Sequence, residues 1–242
     1  MKHLLFLFLF IPLFAFSQMK GRVEFGYQNA IKYANEISGI ANEYNTSRPW
    51  LKSEMKLANL HNGFSFGFYS EPGPFSFGFN MSYVWYSGKA SGLDGSGVEF
   101  KRKLRSHLFT IDLLDMGYYF IQTDKLKIGL GMVPFSFTRG RVSTKLDDGE
   151  WKYATHISML NDYKKSHWYA GFKFQAHAGF FISDELMMKL TIFYQLNYAG
   201  KMNLYYVDQD LNPRTVSNYL GSHLFSKPKY FGIRISLNLI TD

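Results

Sequence analysis

From Trp168 to Tyr198 every even-numbered residue except Asp184 is apolar or aromatic. The series runs Trp168, Ala170, Phe172, Phe174, Ala176, Ala178, Phe180 and Ile182, then resumes as Leu186, Met188, Leu190, Ile192, Tyr194, Leu196 and Tyr198. A period of two is the side-chain period of a β-strand. The stretch therefore predicts two long strands, about Ser166–Ile182 and Leu186–Tyr206, joined by the tight turn Ser183-Asp184-Glu185. The odd positions include the polar or small residues Lys173, Gln175, His177, Gly179, Lys189, Thr191, Gln195 and Asn197. An apolar strand face this long aggregates in water. In hydrocarbon it is solvated. A sheet in hydrocarbon must close, because unpaired backbone groups at an open edge each cost several kcal/mol.

The rest of the chain repeats the pattern. Strands are expected at Gly21–Gln28, at a segment ending in Phe64, Phe66 and Phe68, at Phe75–Ser87, about Arg105–Gln122, about Leu126–Thr138 and Tyr230–Leu239. In the fourth strand the apolar phase switches, with Phe109, Ile111 and Leu113 on one parity and Met116, Tyr118 and Phe120 on the other. One extra residue near Leu114, a β-bulge, produces such a switch. Tight turns at Glu71-Pro72-Gly73-Pro74, Thr123-Asp124-Lys125 and 183–185 alternate with long polar stretches at 29–56, 88–104, 139–165 and 207–229. The expectation is an all-β fold. It is a membrane-spanning, eight-stranded, antiparallel up-and-down β-barrel with short periplasmic turns and four long extracellular loops. In the first long stretch Ile31, Ala34, Ile37, Ile40, Ala41 and Tyr44 recur at helical spacing, which predicts a short amphipathic helix packed on its neighbours.

The N-terminus supports export. Met1-Lys2-His3 is a basic start, Leu4–Phe16 an apolar run, and Ala15-Phe16-Ser17 provides small residues for cleavage. Residues 1–17 read as a cleaved signal peptide and 18–242 as a single barrel domain. The chain has no cysteine, so burial or a bilayer must hold it. Mean hydropathy is only −0.17 although aromatics are 19% of residues, because lipid-facing and lumen-facing positions alternate and cancel.

An eight-stranded lumen is just wide enough for its own side chains. The inward parity carries Arg22, Glu24, Asp112, Asp115, Tyr119, Lys127, Lys173, His177, Lys189 and Arg234. Of these, Glu24, Asp112 and Asp115 are expected to pair with Lys127, Lys173, Lys189 and Arg234 in a polar network, since an isolated buried charge is very costly. His177 reads as a hydrogen-bonded lumen residue. Lys101, Arg102, Lys103 and Arg105 are expected at the outer rim, facing lipopolysaccharide phosphates.

Catalytic and metal signals are weak. His156-Ile157-Ser158 has the H-x-S form of a lipid A hydrolase site, but no acid is placed to orient the histidine. Asp208-Gln209-Asp210-Leu211-Asn212 imitates a calcium loop, with Pro213 in place of the glycine and Tyr219 in place of the final glutamate. The chain reads as a non-enzyme with no cofactor, no metal and no nucleic-acid partner. Its expected partners are outer-membrane lipid, lipopolysaccharide and other envelope proteins. A small-molecule channel is the alternative reading, and a lipid A hydrolase the second.

The Phe-rich leader ending in Ser17-Gln18, the eight alternating strands, the Gly63–Tyr86 hairpin and the final KYFGIRISLNLITD strand together resemble small outer-membrane barrels. The resemblance is to the OmpA/OmpX/OmpW-like superfamily in its Bacteroidota form. It implies an integral outer-membrane location in a Gram-negative bacterium and a role as a structural or interaction protein, including as an accessory subunit of a larger envelope complex.

Overall fold

In the computed structural model, the described residues are 21–32, 41, 44–46, 48–57, 60–93, 96–153, 156–157, 163–164, 167–199 and 229–241. The signal peptide, the start of the loop helix, Ser158 and the 208–219 segment lie outside them. The strands are β1 (Gly21–Lys32), β2 (Leu51–Leu57), β3 (Leu60–Ser70), β4 (Phe75–Leu93), β5 (Glu99–Gln122), β6 (Leu126–Leu146), β7 (Lys152–Tyr153), β8 (His156–Ile157), β9 (Tyr163–Lys164), β10 (His167–Phe181), β11 (Leu186–Ala199) and β12 (Lys229–Thr241).

Eight of them form a ring in the order β1-β3-β4-β5-β6-β10-β11-β12. Every neighbouring pair is antiparallel, and β1 closes the ring by pairing with both β3 and β12. Phe25, for example, lies between Phe66 on β3 and Leu237 on β12. No edge is left among these strands, as hydrocarbon requires. β2 pairs with the far end of β4.

The tight turns gather at one end. Gly73 adopts φ +63 in the first, and the Phe75 amide donates to the Pro72 carbonyl at 3.3 Å. In the second, Thr123 Oγ1 accepts from the Leu126 amide at 3.0 Å. The bulge expected near Leu114 is present. Gly78 faces Asp115 while Asn80 faces Asp112, and Leu114 takes φ 58. This extra residue turns both Asp112 and Asp115 inward although they are three positions apart.

The strands run further at the loop end than alternation in the sequence suggested. β4 continues past Ser87 to Leu93, β5 begins at Glu99 and β6 reaches Leu146. The 88–104 connection therefore shrinks to 94–98, and most of it is wall. The reason is an inversion of the two faces. On the inner face Ser82, Thr110 and Thr138 share a rung, but the next rungs hold Val84 and Leu108, then Tyr86 and Val142, then Leu104. On the outer face Tyr83 and Phe109 give way to Trp85, His107 and Arg141, then Ser87 and Arg105, then Lys89, Lys103 and Lys145. Beyond that level the wall is apolar inside and charged outside, like a soluble barrel.

The inner apolar surface is filled by the chain itself. Ala41 and Tyr44, both in helical conformation, pack with Met55, Tyr86, Ala90, Leu104, Val142 and Tyr169. Arg48 stacks on the Tyr44 ring at 4.3 Å. Asn45 clasps the Met55 backbone, accepting from its amide at 2.7 Å and donating to its carbonyl at 3.3 Å.

Candidate functional site: an ion-paired polar lumen

The outer wall below the inversion is lipid-type surface. Leu130, Phe64 and Ile182 are each about 60% exposed. Rings pair across strands, with Phe25–Phe66 centroids 4.9 Å apart and Phe64–Trp85 5.7 Å, and along β4, with Tyr83–Trp85 5.9 Å. Such cross-strand aromatic contacts add to burial in lipid.

Inside that band all eight sequence-designated lumen residues point inward and are buried. Glu24 is the hub. It meets Lys189, Arg234 Nε at 3.1 Å and, more loosely, Arg22 at 3.9 Å. Asp112 accepts from Lys173 Nζ at 2.5 Å and from Ser136 Oγ at 2.7 Å. Asp115 is held by two neutral donors, Tyr69 OH at 2.9 Å and Gln175 Nε2 at 3.0 Å. His177 Nδ1 lies 3.2 Å from Thr191 Oγ1. Lys127 pairs with none of the three expected acids. It reaches Glu71 at 2.6 Å instead.

Glu71 and Tyr69 are the members that the sequence reading passed over. Glu71 sits in the Glu71-Pro72-Gly73-Pro74 turn, yet it folds under the barrel to engage Arg22 and Lys127. Arg22 also donates to Tyr119 OH at 3.0 Å. The Tyr69 ring packs against two cations, Arg22 at 4.4 Å and Lys189 at 4.8 Å. Its odd number, opposite to Phe64, Phe66 and Phe68, was the available signal that it faces inward. Glycines on the opposed strands leave room for these groups. A Cβ at Gly78 would come within 2.3 Å of the Tyr69 ring.

Glu71 lies outside the spanning strands, and its ionisation can be followed. Burial opposes its charge, but Arg22 and Lys127 outweigh that and hold the carboxyl below its usual 4.5. A depressed folded-state value contributes stability that is full above the unfolded value and is lost as pH falls through the folded one. The stability gap between the native chain and Glu71→Gln in micelles should be constant above about pH 4.5 and shrink as pH drops below it. A gap that widens in acid contradicts this assignment.

The rim residues divide. Lys101, Lys103 and Arg105 face outward. Arg102 does not. It is 3% exposed and donates to Thr144 Oγ1 at 3.4 Å inside the mouth, because its even number places it on the inner parity. His156 belongs to the short β8–β9 pairing opposite Lys164, and Ser158 lies outside the described residues. Among the described residues no group of three acidic or histidine side chains is arranged to hold a metal.

A closed antiparallel ring with a lipid-type belt outside and paired charges inside defines an eight-stranded transmembrane β-barrel. No protein-family model matches the chain, and no curated protein matches it in sequence. Among solved structures it is similar to Neisserial surface protein A, at 9% identity and TM-score 0.42, covering 90% of this chain and 96% of that one. It is also similar to Ail, the attachment invasion locus protein of Yersinia pestis, at 8% identity and TM-score 0.43, covering 92% and 99%. OprG from Pseudomonas aeruginosa matches at 7% identity and TM-score 0.42, covering 92% and 96%.

Proposed function

We propose that the chain is an exported, integral barrel of the Gram-negative outer membrane that works as a structural or interaction protein, with its tight turns in the periplasm and its loop end outside. In this role it is an accessory subunit of a larger envelope complex, and its basic outer rim meets lipopolysaccharide. The observation that carries the reading is the set of ion pairs that spans the lumen. Glu24 is held by Lys189 and Arg234, and Glu71 pairs with Arg22 and Lys127 at the turn end. A lumen bridged by ion pairs favours a wall that presents surfaces over a pore that passes solutes.

Reconstitution into planar bilayers should give no unitary conductance steps. Discrete openings would favour the channel reading. Purification from the native membrane in mild detergent tests the accessory role separately: co-elution with envelope proteins is expected, and a lone monodisperse monomer would refute it.

A further inference from the structure

Three lysines stand in one row on the outside of the extended wall. Lys89 on β4 faces Lys103 on β5, and Lys103 faces Lys145 on β6. Directly opposed like charges destabilise a sheet, so the row is a standing electrostatic cost. Among the described residues no acidic side chain lies within ion-pair distance of any of the three. The nearest rung adds Arg105, stacked on Trp151 at 4.1 Å, and Lys101 lies one step beyond. Asp147, the acid closest in the ladder, accepts from the Lys101 amide at 2.6 Å instead.

The row spans two strand spacings, about 10 Å. Its height is also set. It sits four residues along β5 from His107, whose rung partner Trp85 is the last outward aromatic on β4, which puts it roughly 10 Å above the aromatic belt for a strand tilted as in other barrels. That is above the level of lipid headgroups. The molecule is polarised the same way. The turns at the opposite end carry Glu71, Asp124, Asp184 and Glu185 against the single Lys125.

We infer that the Lys89–Lys103–Lys145 row is a phosphate-binding site for phosphorylated sugars of the surrounding outer-leaflet glycolipid, the saccharide that stands at this height above the headgroups. Three ammonium groups in register on adjacent strands supply up to nine donors with no acceptor among them, which suits a phosphate monoester. Arg105 extends the site toward the membrane and Lys101 away from it. The inference rests on the outward orientation of the loop end proposed above.

The test uses the full chain in three kinds of nanodisc: phosphatidylcholine alone, with lipopolysaccharide carrying core phosphates, and with the same lipopolysaccharide dephosphorylated in the core. Amines are acylated under limiting conditions and mapped by mass spectrometry. Lys89, Lys103 and Lys145 should label roughly fivefold more slowly only in the core-phosphate discs, the factor one bond of ordinary strength supplies. Lys125 and Lys229 should label alike in all three. Equal labelling of the row in all discs overturns the site. Protection by soluble inositol hexakisphosphate but not by lipopolysaccharide overturns its assignment to the leaflet.

Stability gives a second reading with opposite signs. Lys103→Gln should raise the thermal midpoint in phosphatidylcholine discs, where it relieves repulsion, and lower it in core-phosphate discs. A fall in both makes the row merely structural. An epitope inserted after Gly97, in open space at the β4–β5 turn, separates the orientation of the barrel from the phosphate site. If intact cells do not stain, the orientation fails; if they stain while the lysines stay unprotected, only the phosphate site fails.

Discussion

Glu24→Gln should cost about 3–5 kcal/mol of folded-state stability, the usual penalty for removing one partner from a buried charge cluster. The carboxylate has no exposure, and it is the acid shared by Lys189, Arg234 and Arg22. Glutamine keeps the shape and removes the charge, leaving three buried cations facing one another in a narrow lumen. The measurement is urea unfolding of the refolded chain in micelles, followed by the fluorescence of interfacial Trp85 and Trp168. Adding Arg234→Met should recover part of the loss, since it removes one of the stranded charges. A single mutant within experimental error of the parent would mean that water or counter-ions reach Glu24.

The same chemical change should have unlike effects on the two sides of the face inversion. Leu130 is among the most exposed residues on the lipid belt, and Leu130→Arg should cost about 2–4 kcal/mol, as charges in the middle of a barrel wall do. Leu93 is also exposed, but it lies at the loop end of β4, opposite Glu99. Leu93→Arg should be within about 0.5 kcal/mol of neutral. The pair is measured by the same unfolding assay in lipid. Equal penalties would place Leu93 in hydrocarbon and move the membrane edge.

Alternation carried the sequence reading well where the outer face is apolar. The lipid-facing positions from Trp168 to Tyr198 and the phase switch at Leu114 were both legible, because a period of two tolerates no slip without a visible change of parity. The inward placement of Asp112 and Asp115 followed from that switch. The upper wall was not legible, for a physical reason. Once Lys89, Lys103 and Lys145 take the outer face and Val84, Leu104 and Val142 the inner one, the apolar parity reverses, and a reader following outward hydrophobics sees a polar loop. Arg102 was misplaced by the same error: grouped with its neighbours as a cluster, it was not separated from them by parity. Glu71 escaped because a turn residue has no parity to read. Its role depends on the turn folding under the lumen, which only the three-dimensional path reveals.

The inversion also makes the barrel behave like a rivet. The belt is the shank, and the extended wall above it is a head that forms only on the far side. While the strands cross, Lys101, Lys103, Arg105 and Lys145 must pass through hydrocarbon without the apolar mouth to fold around. Once Tyr44 seats against Leu104 and Val142, sliding back would bury those cations in lipid again at about 2–4 kcal/mol each near the midplane. Insertion is therefore easier to complete than to reverse, and the finished barrel is fixed in depth as well as in shape.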